Sequence, residues 1–139
     1  MMRKKTIYVT EKDVKRLRTL IKSTIATSDH GKRDIKKLIE ELDRAKKVSP
    51  TDIPHTVITM NSKVCLIDID TGKEMIWRLV YPKDQDIDQG RISILAPLGT
   101  AMLGYFEGDM FEWKVPSGKR KFKVKSILYQ PEAAGNYNL

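Results

Sequence analysis

The 139-residue chain carries 26 Lys/Arg against 18 Asp/Glu, a net charge of +8 and a pI near 9.6. With 40% hydrophobic and 32% charged residues it can fill a core and is not broadly disordered, and its length suits one domain or a small domain with an appendage. A single cysteine, Cys65, excludes an internal disulfide framework and most cysteine-based zinc sites. His30 and His55 leave little for metal chemistry, and the longest apolar run, Val64 to Ile67, excludes a transmembrane helix and a secretory h-region. The expectation is a soluble, reduced, cytoplasmic protein with no membrane partner.

The basic surplus is segregated. Residues 1–50 hold 15 Lys/Arg and 7 Asp/Glu, whereas residues 51–139 hold 11 of each. Such asymmetry points the first third toward a polyanion or an acidic protein surface, or else marks a solvated helix pair kept soluble by its lysines.

In that first third, Thr10 followed by Asp13 resembles a capping box, and Glu11 and Asp13 suit the positive end of a helix dipole. Val14, Leu17, Leu20, Ile21 and Ile25 then fall at helical spacing. Thr27-Ser28-Asp29-His30-Gly31 breaks the pattern, and a second period follows in Ile35, Leu38, Ile39, Leu42 and Ala45, closed by Pro50. Each helix has one narrow apolar stripe, so the pair is expected to fold as an antiparallel hairpin with Leu17, Leu38 and Leu42 in the seam. An arm of about 15 residues spans roughly 22 Å. The tip between the arms contains Asp29, His30, Lys32, Arg33 and Asp34.

From Thr56 the helical period disappears, and Val57 and Ile58 begin an extended segment. Lys63–Ile69 reads as a strand, Asp70-Thr71-Gly72-Lys73 as a turn and Glu74–Val80 as the returning strand. Pro82–Gly90 reads as a polar loop, Ile92–Leu95 as a short strand and Pro97–Gly104 as a brief helix with a glycine stop. Met110–Val115 and Phe122–Tyr129 read as strands around a turn at Pro116–Lys119. The predicted class is α+β: a helical hairpin over residues 1–50, then a small antiparallel sheet domain with one short helix over 51–139. Trp77, Trp113, Phe111, Met110 and Phe122 are expected in its core or on a sheet face.

Catalytic chemistry is not evident. The loop Asp84–Gly90 begins like a calcium loop, but Gln89 stands where the turn glycine is needed and Leu95 where the bidentate acid is needed. Gly118-Lys119 lacks the upstream glycine and the following Ser/Thr of a phosphate-binding loop, and no G-x-S-x-G elbow occurs. Cys65 lies within a strand pattern and reads as a small buried hydrophobe. His55 beside Pro54 reads as a hinge hydrogen bond. The chain reads as a binding protein without catalytic residues, metal or cofactor.

The strings His55–Val64 (HTVITMNSKV), Tyr81-Pro82, Ile92–Gly104 (ISILAPLGTAMLG) and Tyr129–Tyr137 (YQPEAAGNY) resemble the Rnk family, regulators of nucleoside diphosphate kinase, which stand with the Gre-type transcription elongation factors of bacteria. The resemblance implies a C-terminal domain similar to the FK506-binding proteins, docked at the rim of the secondary channel of RNA polymerase, with a coiled coil entering the channel. It implies that Pro97, Leu98, Gly99, Ala101 and Gly104 lie near the docking surface, and that the tip from Asp29 to Asp34 faces the channel. In cleavage factors, acids in a D-x-x-E-type tip help to hold a magnesium ion for hydrolysis of backtracked RNA. Here Lys32 stands three positions after Asp29, and two cations separate Asp29 from Asp34, an arrangement unsuited to magnesium.

The expected function is therefore a monomeric polymerase-binding regulator that competes with Gre-type factors without cleaving transcripts. Three alternatives stand beside it. One is transcript cleavage through Asp29 and Asp34. Another is direct nucleic-acid binding by the basic hairpin, marked by a steep salt slope. The third is prolyl isomerase activity by analogy of fold.

Overall fold

The computed structural model describes residues 6–27, 32–115 and 118–137. Strand β1 (Tyr8–Thr10) leads directly into helix α1 (Glu11–Thr27). Thr10 begins the helix as expected: its Oγ1 accepts the N–H of Asp13 at 3.0 Å, satisfying one of the unpaired amides of the first turn. Val14, Leu17 and Ile21 are buried at the i, i+3, i+7 spacing that lines one helix face. Helix α2 (Lys32–Arg44) buries Ile35, Leu38 and Leu42 at the same spacing. An Arg18 Nη2–Asp43 Oδ1 pair at 3.3 Å links the middle of α1 to the last turn of α2. The loop residues Ser28, Asp29, His30 and Gly31 lie outside the described residues.

Helix α2 stops at Arg44, six residues before Pro50, because the chain is drawn off into a pairing that propensity does not show. Strand β2 (Lys46–Val48) runs parallel to β1, with Tyr8 opposite Lys46 and Thr10 opposite Val48. The Lys46 N–H donates to the Ile7 carbonyl at 2.8 Å, and the Lys46 ammonium lies 5.4 Å from the Tyr8 ring centroid. This two-stranded clasp ties the entry and exit of the helical segment together.

The remaining strands are β3 (Lys63–Asp68), β4 (Glu74–Val80), β5 (Arg91–Ser93), β6 (Met110–Val115) and β7 (Gly118–Tyr129), with helix α3 (Pro97–Met102) between β5 and β6. They form one sheet in the order β5-β4-β3-β7-β6. The expected antiparallel sheet does not hold: β5 runs parallel to β4, so the sheet is mixed. The reason lies in Pro82–Gly90, which is not a simple loop but two short 3-10 turns, Pro82–Asp84 and Ile87–Gln89, and these carry the chain back to start β5 alongside the start of the Arg78–Val80 segment. Val57 makes only an isolated bridge to Phe106, so the segment after Thr56 is not a strand.

The aromatic and methionine side chains divide between the two faces of the sheet. Met110 is 53% exposed, whereas Phe111 is buried. Alternation along β6 turns Phe111 and Trp113 inward, against Phe122, and leaves Met110 on the other face. Trp77 is only half-buried. Tyr105, Phe111, Phe122 and Trp113 form a run of ring contacts with centroids 4.9–6.0 Å apart. One continuous cluster of buried apolar residues includes Leu17, Leu38 and Leu42 of the helices together with Leu66, Leu79 and Val124 of the sheet.

Candidate functional site

Helix α1 presents a cationic surface: Lys15, Arg16, Arg18 and Lys22 are exposed against one exposed acid, Glu11, whereas on α2 the exposed Lys36 and Lys37 are matched by the exposed Glu40 and Asp43. At 1.5 Å per residue, the 17 residues of α1 and 13 of α2 span about 26 and 20 Å. Of the predicted tip residues, Lys32, Arg33 and Asp34 open α2, while Asp29 and His30 lie outside the described residues.

What anchors these helices is a buried polar junction at the start of α1. Asp13 is 3% exposed, and its Oδ2 accepts the backbone N–H of Met60 at 3.2 Å. So the acid of the capping box, besides meeting the Thr10 hydroxyl of its own helix start, reaches across to the segment ahead of β3. Burial, with the nearby Glu132 carboxylate, pushes the Asp13 carboxyl up from 3.8 to about 6, against the opposing pull of the Met60 amide, the Thr10 hydroxyl and Arg16. The Tyr81 hydroxyl faces Asp13 and Arg16, and burial followed by the Asp13 charge raises its pKa. Glu132 in turn accepts from Thr59 Oγ1 at 2.7 Å, and Thr59 Oγ1 shares a 2.9 Å hydrogen bond with Ser62. Gln130 completes the junction: its Nε2 donates to the carbonyls of Pro54 and Val57, each at 2.8 Å. Gln130 and Glu132, just after β7, thus clamp the segment between β2 and β3. Sequence reasoning identified Thr10 and Asp13 as a cap, but nothing in spacing showed that Met60, Tyr81 and Glu132 would converge on the same carboxylate.

The string around α3 is built for close approach. A Cβ on Gly99 would lie 2.1 Å from the Ser93 carbonyl oxygen, so only glycine lets α3 rest on β5. Thr100 Oγ1 donates to the Ile94 carbonyl at 2.6 Å, fixing the same contact. Gly104 has φ +84°, and a Cβ there would lie 2.6 Å from the Ile7 Cβ. Its carbonyl accepts from Tyr8 N–H at 3.3 Å, so α3 leads directly to the clasp beneath the helices. Among the predicted docking residues, Leu98, Gly99 and Gly104 are buried, Ala101 is half-buried and Pro97 is exposed. The string therefore joins a packing element to a small accessible surface at Pro97 and Ala101. Among the described residues no helix is long and apolar enough to cross a membrane.

The comparisons divide the chain at the same place as its charge. Residues 5–48 match the family described as the Rnk N-terminus, and residues 53–129 match the C-terminal family of the transcription elongation factors GreA and GreB. A protein of Escherichia coli strain K12, "Regulator of nucleoside diphosphate kinase", is 36% identical over 139 residues, covering 99% of this chain and all of that protein. "Transcription elongation factor GreA" of Syntrophotalea carbinolica is 34% identical over 95 residues, 68% of this chain and 60% of that one. Among solved structures, "Prokaryotic transcription elongation factor GreA/GreB from Nitrosomonas europaea" superposes with a TM-score of 0.73 at 38% identity, covering 89% of this chain and 100% of that one. A first third of Rnk type set on a GreA/GreB domain, matched end to end by a Rnk relative, means that the chain belongs to the Rnk group of the GreA/GreB family of transcription regulators.

Proposed function

We propose that this protein binds RNA polymerase at the rim of the secondary channel, places its helical segment in the channel, and regulates transcription by excluding Gre-type factors without stimulating transcript cleavage. The observation that carries the reading is the joint match: an Rnk-type first third on a GreA/GreB C-terminal domain, in one chain. Residues 1–50 act as the channel-entering unit and residues 51–139 as the docking unit, the latter an FKBP-like domain. The helices form a short antiparallel coiled coil, a reading supported by the Arg18–Asp43 pair and by matching apolar stripes. Polymerase meets the string Pro97, Leu98, Gly99, Ala101 and Gly104, with Pro97 and Ala101 touching the partner and the others setting the shape of the surface.

The tip from Asp29 to Asp34 faces into the channel. Asp29, His30, Lys32, Arg33 and Asp34 bring cations between the two carboxylates, so the tip is drawn to the channel's acidic walls and is not fitted to hold magnesium. Attraction of this kind fades as salt shortens the Debye length. Two assays on purified core polymerase test the reading. Fluorescence-labelled protein should bind core polymerase, and stalled, backtracked complexes should retain their RNA when it is added. Mg-dependent release of a short 3′ RNA fragment, abolished in Asp29→Ala/Asp34→Ala, would instead assign cleavage stimulation. Absence of polymerase binding, with tight binding to free RNA or DNA, would assign nucleic-acid binding.

A further inference from the structure

A second charged feature lies on the sheet, away from the helices. Lys63 on β3 is the register partner of Arg78 on β4, and Arg78 is the register partner of Arg91 on β5. Three cations therefore stand in one row across three neighbouring strands. With strands about 4.8 Å apart, the row is about 10 Å long. Like charges directly opposite each other destabilise a sheet. Elsewhere this sheet places opposite charges together: Glu74 with Lys125, Glu112 with Lys121, and Asp68 with Arg120. Among the described residues, none of Lys63, Arg78 and Arg91 pairs with a carboxylate. Arg78 instead lies over the Tyr129 ring, 5.3 Å from its centroid, which holds the guanidinium in place without neutralising it.

The row does not sit on a convex surface. All three cations line one cleft of about 500 Å³, bordered by Gln89 and Gly90 at the end of the second 3-10 turn and lined in part by Ile76. That volume lies within the range of small-molecule sites, and concave walls concentrate the field of the cations inside. Asn61, held with φ +68° at the cleft's edge, adds a side-chain amide, and Asp84 contributes the one carboxylate. The lining is net cationic.

We propose that this cleft binds a compact ligand bearing two or more phosphate groups. A single carboxylate or sulfate would engage only part of a 10 Å row of cations, whereas linked phosphates match its length and offer acceptors to each guanidinium. An extended nucleic-acid strand would meet this short row of cations with only a few of its phosphates, whereas a compact polyphosphate can engage the whole row. Ile76, 51% exposed, leaves an apolar shelf beside the phosphates where a base could rest.

The test is isothermal titration calorimetry of the full chain at low salt with inorganic tripolyphosphate, ATP, GTP, AMP and a 20-nucleotide single-stranded RNA. Tripolyphosphate and the triphosphates should bind and AMP should bind at least tenfold more weakly. Equal affinity for tripolyphosphate and ATP would support recognition of the phosphates alone, and tighter ATP or GTP would support a nucleotide as the source. Removing one guanidinium, in Arg78→Gln or in the exposed Arg91→Gln, should weaken binding about tenfold or more, with folding checked by circular dichroism. Asp84→Asn should tighten binding, whereas Lys15→Ala/Lys22→Ala on α1 should leave it unchanged. No binding of tripolyphosphate, ATP or GTP at millimolar concentration would overturn the proposal. So would loss of binding in the α1 variant but not in Arg91→Gln, or an RNA affinity above that for tripolyphosphate that depends on the same arginines. None of these outcomes depends on whether polymerase is bound.

Discussion

Asp13 is where residue chemistry bears on the whole. Its carboxyl is raised from 3.8 to about 6, so the folded protein holds this proton more strongly than the unfolded chain does. Its contribution to stability is fully present below pH 3.8 and is lost as pH rises through about 6, a difference of about 3 kcal/mol at neutral pH. Asp68 acts in the opposite direction: the Arg120 guanidinium holds its carboxyl below the ordinary range, so its contribution is lost on acidification. Asp13→Asn keeps an acceptor for the Met60 amide without the buried charge. Its urea midpoint should match the parent near pH 4 and exceed it near pH 8, by about 2–3 kcal/mol in stability. A variant less stable than the parent at pH 8 would show that the charged form of Asp13 is the one the fold requires. Gly99 gives a second residue-scale test. Gly99→Ala drives a methyl into the Ser93 carbonyl and should cost about 2–3 kcal/mol in thermal or urea unfolding. Gly72→Ala, with open space around it but φ +73°, should cost about 1 kcal/mol.

At the scale of elements, legibility followed the length and regularity of each segment. Glu74–Val80 and Met110–Val115 have the boundaries that β-formers and flanking turns indicate. Helices α1 and α2 were legible because their stripes repeat at 3.6 residues over several turns. The clasp of β1 and β2 was not, since each strand is three residues long and owes its existence to a partner some 38 positions away. The parallel pairing of β5 was hidden for a related reason: parallel neighbours usually need a helical crossover, and here two 3-10 turns serve instead. Met110 and Phe111 could have been told apart in advance, because a period of two cannot put both on the same face. Of the candidate site, the cationic helices and the α3 string were legible, and the convergence of Asp13, Tyr81 and Glu132 required the fold. Leu38 is fully buried between the helices and the main core. Leu38→Ala should cost about 2–5 kcal/mol, read by urea unfolding, with hydrogen exchange quickening in α1 and α2 before β3 and β7. Uniform quickening would mean that helices and sheet open as one unit.

For the whole molecule, the charge division acquires a structural meaning. The first third carries the whole positive surplus, half of it within the two helices, and the remainder, balanced in charge, supplies the sheet and the α3 string. The buried Asp13 of the first third joins the two, meeting Met60, Tyr81 and Glu132 of the remainder. That rigidity is what a molecule needs if it is to dock with one part and fill a channel with the other, since a loose joint would lose the orientation that docking provides. The most direct measurement is competition on core RNA polymerase: a labelled Gre-type cleavage factor is bound first, and unlabelled protein is titrated in. Displacement should be complete, should weaken with added salt, and should be impaired in Pro97→Asp without loss of fold. Simultaneous binding of both proteins, with the labelled factor undisturbed at saturation, would contradict occupancy of a shared channel.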